Sequence, residues 1–191
     1  MTEVSSWILL LPSLPSEPSR HRVAVWRELR RLGAAPIGSG AWLLPNSEPF
    51  AGGVERVQAV AVREGGTIAV LDGTPRDAMA ADTLRTAFAR VRIDEWTEFL
   101  DECRKFMAEI DKEFAKEKFT LGELEEEEQS LERLKRWFGT LLERDVLGLQ
   151  EATDAAAALA RCEARLGEYA ERVLDENAGP DGTRPGGSAS W

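Results

Sequence analysis

The sequence predicts an α+β protein in which a ferredoxin-like βαββαβ module is followed by an antiparallel α-helical hairpin or bundle. Three observations carry this expectation. Two apolar runs, Trp7-Ile8-Leu9-Leu10-Leu11-Pro12 and Trp42-Leu43-Leu44-Pro45, each open a strand–turn–helix unit, the second copy 35 residues after the first. A further apolar run, Thr67–Leu71, closes the second unit as a strand. Beyond residue 77 apolar residues recur every three or four positions, which is the spacing of an amphipathic helix.

Taken in order, Trp7–Leu11 is short, uninterrupted and ended by proline, which suits a buried strand. A Pro/Ser turn leads into a helical pattern from about Arg20 to Leu32, closed by Gly33. A weaker strand at Ala35–Gly38 passes through Gly38-Ser39-Gly40 into the Trp42 strand. The turn Asn46-Ser47-Glu48-Pro49 then precedes a helical stretch from Phe50 to Glu64, closed by Gly65-Gly66. Both tryptophan-led runs lack polar alternation, so they are expected in the sheet interior. With helices on one sheet face, the order is β-α-β-β-α-β.

The remainder reads as helices. One pattern spans about Ala78 to Arg90, and the next carries Trp96, Phe99, Leu100, Cys103, Phe106, Met107, Ile110 and Phe114. Thr120 with Glu123 three residues on is a capping box. The stripe that follows is Leu124, Leu131, Leu134, Phe138 and Leu141, ended by Gly148; the last helix shows Ala152, Ala155, Leu159, Cys162, Leu166, Tyr169 and Val173. Short connections imply antiparallel neighbours. The expected organisation is a sheet module over 1–77, an acidic helical segment over 78–176, and a disordered Gly/Pro/Ser-rich tail over 177–191.

Charge follows the same division. Residues 1–77 hold eight basic and eight acidic side chains, so the net −10 falls entirely on 78–191. Sustained acidity repels polyanions, and nucleic acid would therefore meet the first part. The opening residues lack the basic region of a signal peptide, and no apolar run approaches the ~20 residues that span a bilayer. A cytoplasmic location without membrane contact is expected.

Few residues invite chemistry. Cys103 and Cys162 sit on apolar helical stripes, where a free cysteine is a small core residue. Without a metal-ligand spacing, zinc is not expected. His21 is the single histidine, and no nucleophile elbow or phosphate loop accompanies it. Glu125–Glu128 suits the first turns of a helix and reads as a solvated face. No catalytic residue, metal or cofactor is expected. The tryptophans at 7, 26, 42, 96 and 137 lie on or beside apolar stripes, mostly as core.

The first helix is more informative. At 100° per residue Val25, Leu29 and Leu32 form the buried stripe, while Arg20, Arg27 and Arg31 gather within about 40° on the opposite side. Trp26 and Arg30 flank that face. Arg20, His21 and Arg22 occupy the first turn, where positive charge opposes the helix dipole. Two readings stand for Arg20, Arg22, Arg27, Arg30, Arg31 and Trp26. Either they meet solvent or carboxylates of the acidic helices, or they receive an anion or nucleic acid at a helix start that offers free N–H groups.

These residues also carry a likeness. Trp7–Pro12 with Arg20-x-Arg22-Val23-x-Val25-Trp26-Arg27-x-Leu29, Leu32-Gly33-Ala34 and Trp42–Asn46 resembles the N-terminal domain of the chromate-resistance ChrB family. Lys118-Phe119-Thr120, Glu123–Glu126 and Leu134-x-Arg136-Trp137 are similar to that family's helical segment. The resemblance spans roughly residues 5–175. It implies a regulator associated with chromate efflux, acting on transcription in a chromate-responsive way. The expected partners are DNA or an oxyanion such as chromate at the first helix, and a protein partner or a second copy of the chain. Fuller members of the family carry a second, C-terminal domain that is not among these residues, so chromate sensing by that domain is not carried over. The sheet half also resembles the central domain of phenylacetate-catabolon repressors. It resembles small CRISPR-associated nucleases too, but their first-strand aspartate is missing from Ile8–Pro12. The alternative, from another class, is a protein-interaction adaptor.

Overall fold

The computed structural model describes residues 4–178. Its elements are β1 (Trp7–Ser13), α1 (Ser19–Leu32), β2 (Ala35–Gly38), β3 (Ala41–Pro45), α2 (Glu48–Arg63), β4 (Thr67–Gly73), α3 (Ala78–Ala115), α4 (Leu121–Arg144) and α5 (Gln150–Asn177). The chain is α+β, and the four strands form one antiparallel sheet in the order β2-β3-β1-β4. Apart from its first two residues, the tail expected over 177–191 lies outside the described residues.

The chain divides into two compact units. Among the described residues, one comprises 4–98 with Phe138–Asp154; the other comprises Phe99–Trp137 with 155–178. The boundary expected after residue 77 falls in the turn between β4 and α3, whereas these units are divided within the helices.

In the first unit β1 lies between β3 and β4, and β3 lies between β2 and β1. Both tryptophan-led runs therefore occupy interior strands. Ladder partners share a sheet face, which groups Ile8 with Leu44, Leu10 with Trp42, and Pro12 with Ile68. All of these except Pro12 are buried, in one core with Val25 and Leu29 of α1 and Phe50, Val54, Val57 and Ala61 of α2. On the alternate face Trp7, Leu43 and Ala35 are buried, and Trp7 meets Phe88 of α3 edge-on at 6.1 Å. That cover is incomplete: Leu11 is 41% exposed and Leu71 is 47% exposed. Full burial of β1 on both faces thus holds at Trp7 and fails toward its far end.

Gly33 stops α1 with φ +87°, and the amides of Gly33 and Ala34 close on the carbonyls of Arg30 and Leu29 at 2.9 and 3.0 Å. Glycine takes this left-handed conformation without the steric cost of a Cβ. The helix then turns directly into β2.

Where the spacing predicts two helical patterns between Ala78 and Phe114, the structure has one continuous helix, α3. The physical reason is plain in the sequence: no glycine or proline interrupts Ala78–Ala115, so nothing removes the backbone hydrogen bonds of the junction. The α4 helix ends at Arg144, before Gly148. Asp145 takes over there, its carboxylate accepting the Gly148 and Leu149 amides at 3.1 Å.

The second unit is a three-helix bundle. Phe99 meets Trp137 at 5.4 Å and Phe114 meets Phe119 at 5.6 Å, so α3 and α4 run antiparallel. Cys162 faces Cys103, Arg165 faces Asp111 and Tyr169 faces Phe114, an ascending series that makes α5 parallel to α3. The Thr120 hydroxyl accepts the Glu123 amide at 3.3 Å, as a capping residue should, although the Glu123 carboxylate turns to Lys118. Of the four consecutive glutamates, Glu125, Glu126 and Glu128 are exposed, but Glu127 is buried. This corrects the reading of a uniformly solvated run. Three residues after Leu124 and four before Leu131, Glu127 falls on the apolar stripe of α4.

Candidate anion and nucleic-acid interface

The site is built on α1, whose buried side is fixed by Val25 and Leu29 (0% and 1% exposed). Between Ser19 and Leu32 the helix carries five arginines and one glutamate. Arg20, Arg22, Arg27, Arg30 and Arg31 are all exposed. Arg20, Arg27 and Arg30 make no ion pair among the described residues, whereas Arg31 is held by Glu28 one turn back at 3.2 Å. Arg22 donates through Nη1 to the Ser16 carbonyl, which ties the first turn to the loop before it. Trp26 is 49% exposed, and the Arg30 guanidinium lies 5.2 Å from its ring centroid.

The helix start remains uncompensated. Pro18 stands at the cap position, no side chain caps the first amides, and the first turn holds no acidic residue. An anion placed there would meet free N–H groups and guanidinium forks. The expected conflict between the basic first turn and the helix dipole is therefore present, with one relief: His21 Nδ1 lies 2.5 Å from Glu64 Oε2. That bond, aided by Arg63, holds the Glu64 carboxyl below the usual carboxylate range.

Residues that the spacing did not single out anchor the other end of α1. Arg92 of α3 is 1% exposed, with Nε 3.0 Å from Glu95 Oε2 and its guanidinium 4.9 Å from the Phe88 ring centroid. Burial lowers its pKa to about 10. The Glu95 carboxyl is pushed above its usual range, again mainly by burial, against the pull of Arg92 and Arg144. Arg144 donates to the Arg31 carbonyl, the kind of cation a helix C-terminus favours. Arg92 could have been noticed, because it stands four residues after Phe88 and four before Trp96, on an otherwise apolar stripe.

Other candidates do not assemble. Among the described residues no group of three His, Cys, Asp or Glu side chains could hold a metal ion. Cys103 and Cys162 are buried, and the Cys162 thiol donates to the Cys103 carbonyl at 3.6 Å. Their meeting across the bundle was not legible from their helical positions. No helix among the described residues is long and apolar enough to cross a membrane.

The Protein ChrB of Cupriavidus metallidurans is 31% identical over 108 residues, which cover 56% of this chain and 33% of that protein. The chain thus spans about a third of the length of this curated relative. A family model described as Protein ChrB, N-terminal, matches residues 22–180, which include most of α1 and the whole helical segment. By that match, the chain belongs to the ChrB family, as its N-terminal domain.

Proposed function

We propose that this domain is the DNA-contacting part of a ChrB-like regulatory protein of chromate and stress resistance, cytoplasmic and without a catalytic role of its own. One observation carries the reading: Arg20, Arg27 and Arg30 project from α1 without carboxylate partners among the described residues, in a chain whose net charge is −10. Acidic side chains are abundant, yet they leave these guanidinium groups available. Phosphate oxygens match the guanidinium fork, and a helix start with free amides adds to that attraction. A tetrahedral oxyanion such as chromate could use the same donors.

The module is read as ferredoxin-like. The sheet order β4-β1-β3-β2 supports this, with β1-α1-β2 and β3-α2-β4 as its two crossovers. In such an arrangement α1 is an outer layer whose solvent side is free to meet a ligand.

The test is a salt titration of DNA binding with Arg20→Ala/Arg27→Ala. Removing one guanidinium that neutralises a phosphate flattens the slope of log affinity against log salt by about 0.9. The double variant should therefore weaken binding and reduce the slope by nearly two units, with folding retained. Unchanged affinity and slope would reject the interface. A second reading, a protein-interaction adaptor, is favoured by the exposed Leu11 and Leu71 on one sheet face. A stable protein complex insensitive to salt would support it.

A further inference from the structure

Beside the arginine face the first unit has a groove of about 250 Å³. Val25, Leu29 and Trp42 are its buried members, Pro12 and Leu14 are half-buried, and Trp26, Arg22 and Gly40 are exposed. Pockets for drug-sized ligands run to roughly 300–1,000 Å³, so this groove suits a single planar ring system. Its chemistry is uneven: an apolar bed with the Trp26 indole and the Arg22 guanidinium at the exposed side, and Arg30 over the Trp26 ring beside it.

Building on the nucleic-acid reading of α1, we infer that this groove receives an unpaired nucleobase, so that the domain prefers single-stranded or locally opened DNA over a closed duplex. The charge outside the groove selects a polyanion, and the apolar bed selects something flat that a phosphate alone does not provide. Within a closed duplex the base faces are stacked on one another and cannot enter such a concavity; a base must first be turned out. Trp26 supplies the platform. With Arg30 lying over its ring, the indole is held in place before a base arrives, which lowers the ordering cost of stacking. Proteins that hold single strands combine the same two parts, a basic track for the backbone and aromatic side chains for successive bases.

The experiment uses fluorescence anisotropy with three probes of equal length: a mixed-sequence single strand, its duplex, and an abasic strand that keeps the sugar-phosphate backbone alone. Each is titrated with the wild-type domain and with Trp26→Ala, whose half-exposed site leaves the core intact. Wild type should bind the single strand more tightly than the abasic strand, by on the order of 5- to 150-fold per stacked base. Trp26→Ala should erase that difference while leaving the salt slope unchanged, and Trp26→Phe should restore most of it. Equal binding of single and abasic strands, or tighter binding of the duplex, overturns the inference while the arginine interface stands. Failure of all three probes to bind overturns both.

Discussion

Gly33 and Arg92 are locked against each other: a Cβ at Gly33 would stand 2.8 Å from Arg92 Nη1 and 2.9 Å from Arg144 Cδ. The two guanidinium groups close over the C-terminus of α1 because the chain there has no side chain to keep them off. Gly33→Ala therefore meets two obstacles, the left-handed φ of +87° and the displacement of a buried cation. The conformation alone costs about 1–3 kcal/mol for a residue other than glycine, and the crowding adds to it. Denaturant unfolding should show at least that loss. A variant as stable as wild type would mean that the arginines move aside freely.

The Arg92–Glu95 pair gives a second expectation. Arg92→Ala leaves Glu95 half-enclosed, with Arg144 Nη1 no nearer than 3.9 Å, and breaking a buried pair from one side typically costs about 3–5 kcal/mol. Replacing both partners with apolar residues, as in Arg92→Met/Glu95→Leu, should recover most of that loss, because neither charge then has to be desolvated. A double-mutant cycle on unfolding free energies measures this. Additive losses would show that the two groups do not depend on each other.

These two residues also mark where the sequence is legible and where it is not. The strands β1 and β3 announce themselves through uninterrupted apolar runs, and α1 through one clean stripe with arginines opposite. Burial of Arg92 and Glu127 is a tertiary property. Each occupies an apolar stripe position, but a charged residue there can equally end the stripe, and only the packed neighbours decide. Pairings are no easier. Glu28 and Arg31 are one turn apart and could be read locally, whereas His21 and Glu64 lie 43 residues apart and meet only because α1 and the end of α2 are brought together. Likewise the apolar pattern divides α3 at a change of stripe that the fold absorbs within one helix.

Glu127 sets an expectation for pH. It is 9% exposed, and its carboxyl is pushed above the usual range by burial first, then by Glu109 and Glu113 of α3 and Glu123 and Glu126 of α4. Burial, followed by Glu113, Glu123 and Glu127, pushes the Tyr169 hydroxyl of α5 above its ordinary range, and Lys116 binds Glu113 at 2.7 Å. A carboxyl whose folded pKa exceeds its unfolded value binds a proton on folding. Its contribution is therefore fully present below the unfolded pKa and is lost as pH rises through the folded one. Glu127→Gln should melt higher than wild type at neutral pH, and the gap should close as pH falls toward about 4, the ordinary range of an unfolded glutamate. A constant gap across that range would assign the effect to hydrogen bonding instead.

The cysteines allow the last expectation. Cys103 is 2% exposed and Cys162 is fully buried. Proximity makes their ionisation unequal: the contact with Cys162, together with burial, raises the Cys103 thiol, while the contact with Cys103 lowers that of Cys162. Thiolate is the reactive form, but a reagent must also reach it. Access should therefore govern labelling, and both thiols should react at the rate at which the bundle opens. Raising the reagent concentration should then bring labelling of both cysteines to the same plateau, set by opening, and mild denaturant should accelerate both together. Mass spectrometry of the quenched reaction separates single from double addition. If Cys162 reacts alone in the native protein, with a rate that keeps rising with reagent, its lowered pKa operates on an accessible thiol and α5 does not seal the bundle at that position.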